Sequence, residues 1–460
     1  TLLASSAASD VYKRQRKSLP EDGRFFMRID DDKKFMARAL ELAANGMGHT
    51  RPNPMVGAVL VKDGEIIGEG WHEFYGGPHA EVNAFADCRA DPAGATLYVT
   101  LEPCCHYGKT PPCADLIASK NLERVVVAMQ DPNPLVSGKG IRKLKDAGIF
   151  VTTGVMEKEA QVLNEVFMKF ITEKKPFVLY KSAVSMDGKT ACHTGKSQWI
   201  SSEESREEVR TLRGLYAAVM AGAGTIAADD PLLTARTEGL EDPVRIIADG
   251  KLSVSMESRV FGGDSRVIVL TTSSAEPEKV KALQSKGIEV IFADSDTEGC
   301  VDLEAAMIGL AVKGIDSILL EGGAETAAAA FEAGIVDKIR FYMAPILIGG
   351  KDAPGAIGGT GAALIPEAVQ LENIRTERSG VDLVVEGYVK KRKKVPAERP
   401  LPEKFKADIS GKKGSTAVEN EIRDREPEKM QEEIKEPAKM EKAAEKMAEA
   451  QEARLPEGQA

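Results

Sequence analysis

The sequence predicts an α/β protein of two successive domains with a charged tail. Three observations carry that reading. The chain has 460 residues, 43% of them hydrophobic, which suffices for more than one packed core. Short apolar runs of strand length alternate with helical stretches through both halves, the pattern of strands covered by helices. From about Lys391 the composition shifts to Glu, Lys, Ala and Pro with a single aromatic, Phe405. Such a segment buries too little apolar area to offset its chain entropy.

The domains are therefore expected at residues 30–172 and 175–390, with a disordered Lys/Glu-rich tail at 391–460. Met430 to Ala453 carries Glu and Lys pairs interrupted by Pro437, and is expected to be solvated rather than docked. Residues 1–29 show no clear period, and Ser5 to Gln15 has the look of translated adapter sequence. They are expected to be a disordered or artefactual extension.

Composition narrows the class further. No run of about 18 apolar residues is present, and no charged stretch followed by an apolar one opens the chain. The expectation is no membrane span, no secretory signal and a cytoplasmic location. The net charge of −10 speaks against a basic face that neutralises phosphates, hence against nucleic acid as partner. Six unevenly clustered cysteines do not suggest a disulfide framework in so long a chain. The expected partners are a small-molecule substrate and further copies of the chain in a homo-oligomer.

In the first domain, Asp31 or Asp32 is expected to cap a helix running through Ala44, with Phe35, Met36, Ala39, Leu40 and Ala43 on one face. Val56 to Val61 reads as a strand, and Asp63-Gly64 turns it into a second over Glu65 to Gly70. Pro78 suits the first turn of a helix continuing from His79 to Cys88. Thr96 to Thr100 is a strand of buried type. Pro111-Pro112 precedes a helix from Cys113 to about Ser119, and Arg124 to Met129 is another strand. In the second domain, strands are expected at Phe177 to Lys181, Ala217 to Gly222, Val267 to Leu270, Ile288 to Phe292, Ser317 to Leu320 and Ile339 to Leu347, interleaved with Ala-rich helical stretches.

The chemistry-bearing residues of the first domain lie close together. His79-Ala80-Glu81, then Pro103-Cys104, then Cys113 place one imidazole, one carboxylate and two thiols within 35 residues. This order matches zinc-dependent nucleobase deaminases. There a His and two Cys hold Zn²⁺ with a fourth position open to water, and the carboxylate shuttles protons without binding metal. Helix N-termini beside His79 and Cys113 favour thiolates there. Buried core cysteines are the competing reading, which suits Cys88 or Cys300 better than these four residues together, and Cys105 is expected to be a bystander beside Cys104. The pattern departs from the compact one, because eight residues rather than two separate the cysteines.

The second domain has two glycine turns at strand-to-helix junctions, Gly222-Ala223-Gly224-Thr225 and Glu321-Gly322-Gly323-Ala324. Bare amides before a helix suit a phosphate. Gly222 to Ala227, with Asp249 further on, also fits the loose dinucleotide pattern. Two ordinary tight turns explain the same residues.

The long loop brings in a family. Glu102 to Cys113, together with Arg51-Pro52-Asn53-Pro54-Met55-Val56-Gly57, Gly70-Trp71-His72-Glu73 and Pro78-His79-Ala80-Glu81-Val82, resembles the bifunctional deaminase–reductases of riboflavin biosynthesis. Lys181 to Gly188, Gly195 to Ile200 and Asp229 to Arg236 resemble their reductase half. The likeness covers roughly residues 30 to 390. It implies a cytidine-deaminase-like α/β/α domain followed by a dihydrofolate-reductase-like α/β domain rather than a Rossmann one. It implies hydrolytic deamination of a diamino-pyrimidinone ribosylamino 5′-phosphate, then NADPH-dependent reduction of the ribosyl group to ribityl.

By residue matching, the resemblance makes His79, Cys104 and Cys113 the zinc ligands and Glu81 the proton shuttle. It places Asn53, His72, His106 and Lys109 at the deaminase substrate. It places Ala183, Trp199, Thr225, Asp229, Leu233 and Gly323 at NADPH, and Ser197, Arg213, Arg236 and Glu321 at the reductase substrate. Arginine forks suit a substrate phosphate. Two other readings remain. One is a zinc deaminase of another nucleotide with an altered or inactive reductase. The other is a zinc-stabilised scaffold with a binding tail, which needs a closed metal site where three good ligands leave one open.

Overall fold

The computed structural model describes residues 29–105, 111–133, 136–295 and 300–391. The expected N-terminal extension, the tail from residue 392, His106 and Lys109 lie outside the described residues. The described residues form one compact unit.

The first half is built on a five-stranded sheet in the order β2-β1-β3-β4-β5. Its strands are β1 (Gly57–Lys62), β2 (Glu65–Trp71), β3 (Thr96–Leu101), β4 (Arg124–Met129) and β5 (Phe150–Thr153). β1 runs antiparallel to β2 and β3, and β3, β4 and β5 are mutually parallel. Helices α1 (Ile29–Ala44), α5 (Glu157–Leu163) and α6 (Glu165–Glu173) pack through Phe35, Met36, Ala39, Ala160 and Phe167 on one face. Helices α2 (Ala80–Ala86), α3 (Cys113–Ser119) and α4 (Lys139–Asp146) pack through Ala80, Ala84, Ile117 and Leu144 on the other.

The second half carries a nine-stranded sheet in the order β10-β9-β8-β7-β11-β6-β12-β14-β13. In chain order its elements are β6 (Phe177–Ser185), α7 (Glu203–Leu215), β7 (Ala218–Gly222), α8 (Ala223–Asp229), β8 (Val244–Ala248), β9 (Val267–Thr271), α9 (Pro277–Ser285), β10 (Glu289–Phe292), α10 (Leu303–Val312), β11 (Ser317–Leu320), α11 (Ala324–Glu332), β12 (Lys338–Ala344), β13 (Leu371–Ser379) and β14 (Asp382–Val389). All neighbours pair parallel from β10 to β12, and the β13–β14 hairpin adds an antiparallel edge. Alternate residues of the central strands enter separate clusters on the two faces: Tyr180, Met220 and Leu320 on one, Leu179, Val219 and Leu319 on the other. This is what a strand buried on both faces requires.

Most expected strands and helices form within a residue or two of the boundaries read from the sequence. The differences have identifiable causes. α1 begins before Asp32, so that carboxylate caps nothing; it accepts two hydrogen bonds from Arg124 at 2.8 Å and one from the Tyr98 hydroxyl at 2.9 Å, tying α1 to the sheet. The helix expected to run to Cys88 ends at Ala86. β12 stops at Ala344, leaving Leu347 77% exposed. Strands β5, β8, β13 and β14 escaped the sequence reading. β5 has only four residues, and seven consecutive positions of β13 are exposed, so its pattern shows no buried face. Asp249 is 4% exposed and accepts from the Ser253 hydroxyl and the Val254 amide. It closes a turn after β8.

Candidate functional sites

Two close approaches build the first site. A Cβ at Gly70 would stand 2.3 Å from Ala84 N and 2.6 Å from Ala80 O, so only glycine lets α2 lie flat on β2. A Cβ at Gly140 would stand 2.0 Å from Pro103 O, so α4 presses directly on the loop that holds Cys104. These contacts bring the start of α2 beside the start of α3.

His79 is the N-cap of α2, one position earlier than its sequence reading. Cys113 is the first residue of α3, after Pro112. Cys104 follows β3 in a loop. The His79 Nδ1 atom lies 3.2 Å from Cys113 Sγ and 3.6 Å from Cys104 Sγ, and all three ligand atoms fall within 4.8 Å of one another. A tetrahedral zinc with Zn–N and Zn–S bonds of ordinary length needs N···S edges of about 3.5 Å, so the donors fit the ion. The Cys113 amide donates to Cys104 Sγ at 3.3 Å. The Cys113 thiol and His79 pull Cys104 down to about 4, while its bond to Cys104 and burial push Cys113 up. Two adjacent sulfurs are not both anionic unaided; a dication among these donors would supply the missing charge.

Glu81 lies in the first turn of α2, is 3% exposed, and burial pushes its carboxyl up. It faces a cleft of about 430 Å³ whose lining includes Asn53, His72, His79 and Cys104. His72 Nδ1 donates at 2.9 Å to the Pro78 carbonyl, which can only accept, so Nε2 accepts from the Asn53 side-chain amide at 3.3 Å. Burial pushes the His72 imidazole down, toward its neutral form. The sequence reading missed the rest of the wall, notably Pro52, Tyr75, Phe167 and Phe170. An aromatic at helical spacing reads as core, and nothing in one sequence says that it borders a cleft.

The second half gathers a buried ion cluster. Arg213 in the last turn of α7 meets Glu321, just past β11, in a two-pronged pair: Nε to Oε1 at 2.6 Å and Nη2 to Oε2 at 2.9 Å. Its Nη1 donates to the Thr234 carbonyl at 3.2 Å. Lys181 of β6 lies 3.6 Å from Glu321 Oε2. Burial alone would raise the Glu321 carboxyl, but the Arg213 and Lys181 charges outweigh it and hold it at about 2. Burial pushes the Lys181 ammonium down, against the Glu321 charge. Lys181 is the residue the sequence reading passed over; a lysine closing the apolar run Phe177-Val178-Leu179-Tyr180 was the available signal.

The two glycine turns lie together. Gly222 caps α8 and Gly323 caps α11, and the Gly323 amide donates to Thr225 Oγ1 at 2.7 Å. Nothing stands within 4 Å of where a Gly224 side chain would be. Gly224 and Gly323 are exposed at the starts of these two helices, and the open space beside Gly224 suits a dinucleotide. Trp199 is 69% exposed with the Arg206 guanidinium 4.7 Å from its ring centre. Ser197 and Ala183 are half-buried, and Asp229 and Arg236 are exposed. Leu233 points into the core, 2% exposed.

Comparison with known proteins places both halves. Residues 29–129 match the cytidine and deoxycytidylate deaminase zinc-binding region, and residues 176–385 match the RibD C-terminal domain. Over 360 residues the chain is 42% identical to the riboflavin biosynthesis protein RibD of Actinobacillus pleuropneumoniae, covering 78% of this chain and 95% of that protein. The Escherichia coli RibD is 39% identical over 368 residues, with 76% and 98% covered. Among solved structures, the Thermotoga maritima diaminohydroxyphosphoribosylaminopyrimidine deaminase/5-amino-6-(5-phosphoribosylamino)uracil reductase superposes with a TM-score of 0.69 at 38% identity, covering 79% of this chain and 99% of that one. Acinetobacter baumannii RibD gives 0.70 at 33%, with 79% and 100% covered. The chain belongs to the bifunctional deaminase–reductase family of riboflavin biosynthesis. It is a zinc-dependent deaminase and an NADPH-dependent reductase acting on a small molecule. No helix among the described residues is long and apolar enough to cross a membrane.

Proposed function

We propose that residues 30–172 deaminate 2,5-diamino-6-(5-phosphoribosylamino)pyrimidin-4-one and that residues 175–390 reduce the product's ribosyl group to ribityl. The observation that carries this is the His79, Cys104 and Cys113 donor triangle beside buried Glu81 in the cleft. The zinc, when bound, brings a water to near-neutral pKa. His79, Cys104 and Cys113 hold it. Glu81 takes a proton from the attacking water and returns it to the leaving amino group, so that C–NH₂ becomes C=O and ammonia departs. Asn53 and His72 hold the ring by hydrogen bonds, and His106 and Lys109 are further candidates for substrate contact.

In the second half, Thr225 and Gly323 cradle NADPH, with Ala183, Trp199 and Asp229 along its length; Leu233, buried in the core, does not line it. NADPH, when bound, supplies the reducing equivalent. Ser197, Arg236 and the Arg213–Glu321 pair orient the substrate. The enzyme works in the cytoplasm as a homo-oligomer, without nucleic acid or membrane as partner.

Incubation of the full chain with the diamino-pyrimidinone substrate, read by mass spectrometry, tests both halves. A gain of about one mass unit is expected without NADPH and a further gain of about two with it, from exchange of NH₂ for OH and addition of two hydrogens. Reduction without prior deamination would overturn the order of steps.

A further inference from the structure

Helix α6 joins the two halves, and its residues fall into two opposite sets. Phe167, Phe170 and Ile171 line the cleft that holds His79 and Glu81. Glu165, Lys169 and Glu173 reach the other way. At 3.6 residues per turn, positions 165, 169 and 173 form one stripe, and 167, 170 and 171 lie roughly opposite.

The polar stripe is bound to the second half. Glu165 Oε1 accepts from Lys338 Nζ at 3.0 Å, and its other oxygen accepts from the Tyr388 hydroxyl. Lys169 Nζ donates to Asp337 Oδ2 at 2.5 Å. Glu173 takes the Lys391 ammonium. Lys338 opens β12, directly after Asp337, and Tyr388 lies in β14, so the helix is fixed to the reductase sheet. The inner pairs are shielded: the Lys338 side chain is 9% exposed, and those of Lys169 and Asp337 are 11% and 10%. Breaking such a pair leaves an uncompensated buried charge, so the position of the helix is strongly defined. The opposite lip is held similarly. Pro52 and Asn53 line the cleft, and adjacent Arg51 donates to the Gly214 carbonyl of α7 at 3.4 Å.

We propose that α6 is the apolar wall against which the deaminase holds its planar heteroaromatic ring, with Phe167 and Phe170 as ring contacts and Glu165 and Lys169 as positioning residues set by the reductase sheet. A flat ring with polar edges is well matched by phenyl faces on one side and hydrogen-bonding groups such as Asn53 and His72 on the other. Substrate affinity at the first site therefore depends on ion pairs to the second domain that touch neither the zinc ligands nor the Lys181–Arg213–Glu321 cluster. The inference rests on the cleft being the deamination site.

The test uses the full-length zinc enzyme and the diamino-pyrimidinone substrate. Ammonia release is measured for Phe170→Ala, Lys169→Ala, Lys169→Arg, Glu165→Ala and Glu81→Gln, with zinc content and melting temperature alongside. Phe170→Ala is expected to raise the deamination KM about tenfold with a smaller change in kcat. Lys169→Ala and Glu165→Ala are expected to raise it several-fold with zinc and reductase turnover kept, and Lys169→Arg to restore most of it. The double variant Phe170→Ala/Lys169→Ala should lose less than the product of the singles, because both act on one wall. If Glu165→Ala does not fold, the Lys169 and Phe170 variants decide. A folded, zinc-loaded Lys169→Ala with a normal KM overturns the positioning role, and a normal KM for Phe170→Ala overturns the wall. Should Glu81→Gln still release ammonia normally, the cleft is not the deamination site and the assignment beneath falls first.

Discussion

The two catalytic halves build their sites in different ways. The donors of the first lie within 34 positions of one another, at the starts of two short helices and in the loop between them. The ion cluster of the second draws on β6, α7 and the end of β11, with Arg213 and Glu321 separated by 108 positions. A metal site is set by a few donors at bond length, so a short segment can carry its whole pattern. A buried carboxylate between two cations needs a finished sheet to exclude water and bring the charges together. The first site should therefore fail residue by residue. The second should fail with its packing.

The largest contrast is expected at the metal. Cys104→Ser or Cys113→Ser should release zinc, while Cys105→Ser, whose thiol is not among the clustered donors, should keep it. Glu81→Gln should keep zinc yet slow deamination by at least ~10²-fold, with reduction of pre-deaminated substrate nearly unchanged. Full zinc in both ligand variants would sink the assignment of the triangle.

Next in size is the ion cluster. Arg213→Ala removes a two-pronged contact and leaves Glu321 buried beside Lys181 alone. The apparent reductase substrate KM should rise about ten- to a hundredfold, the size of a lost charge-assisted contact. Arg236→Ala should act in the same direction. Deamination should be unaffected. A variant that keeps substrate affinity but loses NADPH, followed by its fluorescence, would mean that the two ligands are exchanged in this assignment.

A smaller effect is expected with pH. Glu321 is held at about 2, below the ordinary carboxyl value of 4.5, so its folded form favours the charged state. The stabilisation is fully present above the ordinary value and is lost as pH falls through the folded one. Acid unfolding of the second half, followed by calorimetry, should therefore steepen between pH 4.5 and about 2. Glu321→Gln should flatten that limb and leave the first half's transition in place. An identical acid limb in the variant would show that other carboxylates dominate.

The smallest effect is expected at the chain's end. A chain ending at Lys390 should keep both activities within a few-fold, because every residue assigned to either site precedes it. Among the described residues it loses the exposed Lys391–Glu173 pair, and such pairs contribute little. Aggregation, or a larger loss of either activity, would mean that the tail packs on a domain.

What could be read from the chain alone follows the same division. Periodicity and turn chemistry are local, so the hairpin at Asp63-Gly64, the helix starting at Cys113 and the strand Arg124–Met129 were legible from neighbouring residues. So was the set His79, Glu81, Cys104 and Cys113, because its chemistry dictates residue types at short spacing. The charge on Asp32 was visible, but its partner Arg124 lies 92 positions away, so a helix cap was the nearer reading. Lys181 was visible as a lysine in an apolar strand, but not as the neighbour of Glu321. Whether Phe167 and Phe170 border a cleft or fill a core depends on which face of α6 meets which sheet. That choice is made by ion pairs to Asp337 and Lys338, well over a hundred positions away. Local sequence determines what each segment prefers to be. Long-range contacts decide which of its faces meets the substrate, because a side chain's surroundings are fixed only when distant segments pack against it.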